Sequence, residues 1–200
     1  MNPFTHGQKR HFRCLLKVLA LSPLFLASPV HSESTDPLPL KGSFSLKDEQ
    51  GTTRKLEDYR GSYLLVYFGY TYCPDVCPTN LGIIAQVLNT LPTGVGDHLT
   101  PLFVSVDPER DTPAQLGDYT DAFHPRLIGL TGTAEEVRQA ANTFGVYYAR
   151  VENPADRGHY LVDHSSSTYF IDDQGRLRDI FEHAMAPEDM RRRIVKEIQP

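Results

Sequence analysis

Two thiols with three residues between them occur in Cys73-Pro74-Asp75-Val76-Cys77-Pro78, just after the apolar run Tyr63-Leu64-Leu65-Val66-Tyr67-Phe68-Gly69. Cysteine attacks disulfides and binds metals as its thiolate, so the pair admits three chemistries. One is a structural disulfide, but a bridge closing so short a loop removes little entropy from the unfolded chain. A second is thiol–disulfide exchange, whose usual motif has two intervening residues; the third residue here lets both sulfurs point towards a common centre. The last is a metal clip, and two thiolates favour a soft ion such as Cu(I). Cys77 immediately precedes a helix expected to open at Pro78, where unpaired N–H groups and the positive end of the dipole lower a thiol pKa. Cys77 is therefore expected to ionise more readily than a free thiol.

A stable two-sulfur site wants a third ligand, and histidine is the natural donor. Beyond residue 32 the chain offers His98, His124, His159, His164 and His183. His164 stands out, in Leu161-Val162-Asp163-His164-Ser165-Ser166-Ser167, just ahead of the apolar segment Thr168-Tyr169-Phe170-Ile171. Asp163 could orient that loop or the imidazole from outside the ligand set. His159 is a fallback ligand, and the other histidines read as surface or capping residues. Asp107, Glu109, Arg110 and Asp111 read as a helix-entry turn with local ion pairs, each worth little, with a partner-docking or site-supporting loop as the alternative.

The elements that must position these groups alternate. Residues 44–46 and 53–56 form an expected hairpin across Glu49-Gln50-Gly51. The run 63–69 barely alternates and reads as a central strand buried on both faces, followed by a helix over 79–91. A strand over 99–106 leads to Thr112-Pro113-Ala114-Gln115, a capping box with proline at the first helical position. A short strand over 127–130 leads to a second capping box, Thr133-Ala134-Glu135-Glu136, and a helix stopped by Gly145. A strand over 146–151, a loop rich in Pro, Asp and Gly at 153–158, a hairpin of 168–171 with 177–181, and a helix from near Pro187 complete the chain. This alternation makes an α/β sandwich with a mixed sheet, and a cysteine pair at a strand-to-helix turn points to a thioredoxin-like arrangement. There the loop before strand 168–171 faces the cysteine turn. In redox enzymes of that fold this loop carries a proline beside the sulfurs; none occurs here between Pro154 and Pro187.

Residues 1–32 hold Lys9, Arg10, Arg13 and Lys17, no acidic residue, and an apolar stretch from Val18 to Ala27. They read as a signal peptide cut after Ser32, with an uncleaved membrane anchor or a mitochondrial presequence as the alternatives. The apolar stretch is short of the ~20 residues that span a bilayer. Residues 33–42 read as a polar tether to a domain over 43–200. The chain has 20 basic and 25 acidic side chains; with the leader's four basic residues gone, the formal charge is −9. Such a surface disfavours nucleic acid and anionic lipid as partners. Cys14 leaves with the leader, so two cysteines remain, a pair that can form a disulfide in an oxidising compartment.

The stretch Phe68-Gly69-Tyr70-Thr71-Tyr72-Cys73-Pro74-Asp75-Val76-Cys77-Pro78-Thr79 resembles the signature of the Sco/SenC family of copper-binding proteins. The segment from Val104 to Pro113 and the segment Val162-Asp163-His164-Ser165 resemble its other two motifs, in order, so the likeness runs through the domain. The resemblance implies a thioredoxin-like fold and copper, as Cu(I) or Cu(II), held by Cys73, Cys77 and His164. It also implies a part in maturing the CuA centre of cytochrome c oxidase subunit II, facing the periplasm or intermembrane space, and here the periplasm is the expected compartment. Family members are often tethered by a transmembrane helix, whereas this leader is short and interrupted, so the chain is either exported or tethered to the inner membrane.

Two functions share this pocket. A metallochaperone, which is not an enzyme, would take copper from an upstream donor and pass it to a partner's thiolates by ligand exchange. An oxidoreductase would use the same thiols to reduce the acceptor subunit's disulfide, drawing on an upstream thiol reductant. A peroxidase, using a lone cysteine beside Thr and Arg, finds no matching arrangement.

Overall fold

A computed structural model describes residues 36–152 and 160–198. The leader over 1–32, the start of the tether, the loop at 153–158 and the fallback ligand His159 lie outside the described residues. In chain order the elements are β1 (Leu38–Pro39), β2 (Ser45–Asp48), β3 (Thr53–Lys55), a 3-10 turn (Leu56–Tyr59), β4 (Tyr63–Gly69), α1 (Val76–Thr90) and α2 (Thr93–Gly96). There follow β5 (Leu99–Ser105), α3 (Pro113–Asp121), β6 (Ile128–Thr131), α4 (Ala134–Phe144), β7 (Tyr148–Glu152), β8 (Tyr160–His164), β9 (Thr168–Ile171), β10 (Arg176–Phe181) and α5 (Pro187–Ile198).

Eight strands form one mixed sheet in the order β1-β10-β9-β4-β5-β6-β2-β3. The pairs β4–β5 and β5–β6 are parallel, and β9 lies antiparallel to β4 on its other side. With helices flanking it, this sheet makes the thioredoxin-like sandwich. Residues Leu64 to Gly69 are all buried, as a strand covered on both faces requires. Successive side chains point to opposite faces, and the aromatic contacts show what covers each. Tyr67 meets Phe103, which meets Tyr119 of α3. Phe68, one residue on, meets Phe144 of α4 at 5.3 Å between ring centroids. Both expected capping boxes form, at Thr112 with Gln115 and at Thr133 with Glu136. Gly145 ends α4 in the left-handed region, at φ 69, where glycine carries no Cβ penalty.

Four features differ from the sequence reading. Leu38 and Pro39, inside the stretch read as a tether, pair with Leu177 and Arg176 of β10, an edge position where proline is tolerated. Helix α1 begins at Val76, so Cys77 lies within its first turn instead of ahead of it. Strand β7 stays out of the main sheet. It pairs with β8 in a separate antiparallel ribbon, and the residues leading to His164, expected as loop, are the second strand of that ribbon. No helix among the described residues is long and apolar enough to cross a membrane.

Candidate metal centre

The central strand β4 delivers the chain to the cysteine turn at the edge of the core. Cys73 lies in the turn, half-buried, with its N–H donating to the Tyr70 carbonyl at 3.3 Å. Cys77, in the first turn of α1, is fully buried, and both are free thiols. The Cys77 N–H donates to the Cys73 sulfur at 3.3 Å. Behind Cys77 the wall is tight: a Cβ on Gly69 would stand 2.7 Å from Cys77 Sγ and 2.9 Å from the Phe103 ring. Glycine is required there for close approach.

His164 ends β8, and Nε2 of its ring lies 3.3 Å from Cys77 Sγ. Nδ1 lies 2.9 Å from the Ser165 carbonyl oxygen, an acceptor only, so Nδ1 carries the proton and Nε2 presents its lone pair to the sulfurs. The rings of Tyr67 and Tyr70 stand edge-on to the imidazole. The donor atoms of Cys73, Cys77 and His164 all lie within 4.8 Å of one another, so a small inward closure brings them to the ~4 Å separation of donors that share one ion at ~2.0–2.3 Å. Two sulfurs and an imidazole are a soft donor set. Asp163 is exposed on the ribbon; the group that holds the imidazole is the neighbouring Ser165 carbonyl, not the Asp163 carboxylate.

The two thiols differ in the opposite sense to that expected from the helix alone. Hydrogen bonding from Cys77 pulls the Cys73 pKa down to about 4, helped by backbone N–H groups against the opposing effect of burial. The same bond pushes the Cys77 thiol up, and burial adds to it. At Cys77 the hydrogen bond with Cys73, with burial beside it, outweighs the helix N-terminus, so Cys73 is the sulfur that ionises first. A lowered pKa keeps the thiolate as pH falls. Alkylation of Cys73 by iodoacetamide in the full chain is thus expected to hold its rate from neutral pH down to about 5 and to fall only near pH 4. A rate already halved near ~8.5, the ordinary thiol pKa, would contradict this order.

The residues read as a helix-entry turn do more than pair locally. Asp111 is fully buried and accepts the Thr71 N–H at 3.0 Å, the Thr71 hydroxyl at 2.6 Å and the Ser105 hydroxyl at 2.7 Å. Burial pushes its carboxyl pKa up, and those bonds oppose the rise. Asp107, also buried, accepts the Tyr160 hydroxyl at 2.6 Å and pairs with Arg110. Arg110 donates to the Tyr160 carbonyl at 3.0 Å and stacks over the Tyr160 ring at 3.7 Å. One motif therefore braces the cysteine turn through Thr71 and the histidine ribbon through Tyr160. Glu109 stays outside; among the described residues it pairs with Arg150 on the surface.

Of the other histidines, His124 accepts a local N–H from Arg126, and His183 lines the cleft outside the sulfurs together with Cys73 and His164. The sequence places Asp111 in a helix-entry turn and reads His183 as a surface or capping histidine; burial and long-range neighbours decide the roles they have in the structure.

Comparison with known proteins agrees with this architecture. The SCO1/SenC family model matches residues 32–199. The mitochondrial SCO2 homolog of Bos taurus is 42% identical over 151 residues, covering 75% of this chain and 56% of that protein. The chain thus spans little more than half of that relative. The copper-bound crystal structure of Arabidopsis thaliana ScoI superposes with a TM-score of 0.72 at 34% identity, over 79% of this chain and 97% of that one. Copper-bound yeast Sco1 gives a TM-score of 0.73 at 36% identity, over 80% and 89%.

Proposed function

The chain belongs to the SCO1/SenC family, and from that premise we propose that it is a copper chaperone. Cys73, Cys77 and His164 hold the ion as cargo and deliver it to the CuA site of cytochrome c oxidase subunit II during oxidase assembly. The observation that carries this reading is the convergence of two sulfurs and one imidazole nitrogen within 4.8 Å. That donor set suits Cu(I) in a trigonal arrangement, and relatives with this fold are known with copper bound. The acidic surface and the basic, apolar leader support an exported protein acting in the periplasm, supplied by an upstream copper donor.

A second reading is favoured by one specific observation. A low-pKa thiol at the rim beside a buried, high-pKa partner is the pairing of an attacking and a resolving cysteine. The chain would then reduce the acceptor's disulfide before the metal arrives. Residues 165–167, which lead into β9, are serines, without the proline that accompanies such sulfurs in redox enzymes of this fold.

A Cu(I) competition titration of the full, reduced chain separates the two. One copper per chain is expected, with His164→Ala weakening binding by at least ~10-fold while both thiols remain titratable. Unchanged affinity in His164→Ala, together with rapid turnover of a disulfide substrate, would hand the site to the reductase.

A further inference from the structure

The cleft outside the sulfurs, about 260 Å³, is lined by a second imidazole. His183 comes from the turn between β10 and α5 and shares the cleft with Cys73 and His164. Its ring is held from behind. Nδ1 lies 3.2 Å from Oδ1 of Asn80, a buried side chain on α1 three residues after Cys77. The same oxygen accepts the Ala184 N–H at 3.2 Å, and Asn80 Nδ2 donates to the Ser166 carbonyl at 2.7 Å. A backbone N–H can only donate and a carbonyl can only accept, so these two bonds fix which end of the amide is oxygen. With an acceptor at Nδ1, that nitrogen carries the proton and Nε2 of His183 keeps a bare lone pair.

His164 is prepared in the same way, with Nδ1 on the Ser165 carbonyl and Nε2 towards the sulfurs. An imidazole whose N–H is held by an amide oxygen while its other nitrogen stays bare is the usual form of a metal-binding histidine. The turn carrying His183 is also held in an unusual shape. Ala184 has φ 55 and is the one non-glycine residue among those described in the left-handed region, a conformation that strains an L side chain. The Ala184 N–H bond to Asn80 is among the contacts that keep it there. One buried amide thus registers three parts against each other: the cysteine helix, the loop after His164 and the turn of His183.

We propose that His183 is a fourth donor, used by the Cu(II) form of the site and not by the Cu(I) form. The inference rests on the copper reading above. Three donors satisfy Cu(I), whereas Cu(II) favours a four-donor tetragonal set with nitrogen ligands. His183 stands at the exposed rim, outside the tight triangle of Cys73, Cys77 and His164. His183 is not among the donors that already lie within 4.8 Å of one another, so it would join an ion only by an inward movement of its turn, which leaves a three-donor site uncrowded. Asn80 is the positioning residue for this step.

The test compares the full wild-type chain with His183→Gln, each given one equivalent of Cu(II) under anaerobic conditions and, separately, Cu(I). The paramagnetic resonance spectrum of wild type is expected to show two strongly coupled nitrogens, and that of His183→Gln one. Cu(II) affinity should fall ~10–100-fold with Cu(I) affinity unchanged. Glutamine on an exposed turn leaves the fold intact, which a matching thermal melt verifies. A wild-type spectrum with a single coupled nitrogen, or equal Cu(II) affinities in the two proteins, overturns the fourth donor while leaving the three-donor site standing. Failure of wild type to take up either ion removes the copper reading and this proposal with it.

Discussion

Cys77→Ser is expected to abolish tight Cu(I) binding in a chain that still folds. A serine hydroxyl is hard and stays protonated at neutral pH, so the soft ion loses one of its two thiolates outright. The loss should exceed the ~10–100-fold that follows when only an outer partner of a ligand is removed. Position makes Cys77 the less replaceable of the two sulfurs. It is fully buried against Gly69 and Phe103, where no small molecule can stand in for it. Cys73 is half-buried at the cleft, so a small exogenous thiol can fill its place. Competition titrations of Cys73→Ser and Cys77→Ser with and without added thiol should therefore show partial recovery in the first variant and none in the second. Recovery in both, or retained affinity in Cys77→Ser without thiol, would remove Cys77 from the ligand set.

The second large effect is on stability. Asp111→Ala strips the acceptor from three donors in a place that water does not reach: the Thr71 N–H, the Thr71 hydroxyl and the Ser105 hydroxyl. Leaving buried donors unmade costs ~1–3 kcal/mol each, though the two hydroxyls can rotate to other acceptors and burying the carboxylate carries its own penalty. A net loss of about 3 kcal/mol follows from these terms. For a domain of this size, ~1 kcal/mol shifts the melting temperature by ~2–4 °C, so a drop of roughly 6–12 °C is expected. Copper affinity should fall as well, because Thr71 belongs to the turn that presents Cys73. A melt within ~2 °C of wild type would show that the turn does not depend on this carboxylate. The exposed pair of Glu109 with Arg150 is the internal contrast, since a surface pair is worth ~0–1 kcal/mol.

Local signals in the sequence located the frame well. The run from Tyr63 to Gly69, the boxes at Thr112 and Thr133, and the stop at Gly145 each depend on a few adjacent residues, and each forms where expected. What sequence alone does not show depends on distant partners. Leu38–Pro39 is a strand only because β10 offers it an edge. Tyr160 to His164 carries no strong alternation, since the ribbon it forms with β7 has largely exposed faces. The order of the two thiol pKa values turned first on the hydrogen bond between the sulfurs and then on the depth of Cys77, and spacing encodes neither. Asp107 and Asp111 look like any acidic turn until Tyr160 and Thr71 are brought against them. The three-donor site itself was legible because its motifs recur in a known family; the 3.3 Å approach of His164 to Cys77 was not.

The bare backbone at Gly69 has a consequence for traffic. With that wall pressed against Cys77, the buried sulfur is closed off on the Gly69 side, and among the described residues the cleft lined by Cys73 and His164 is the approach to the site. On the chaperone reading proposed above, whatever loads the site and whatever empties it would call at the same threshold, one after the other, and the incoming sulfur of the receiver would take hold before the inner one lets go.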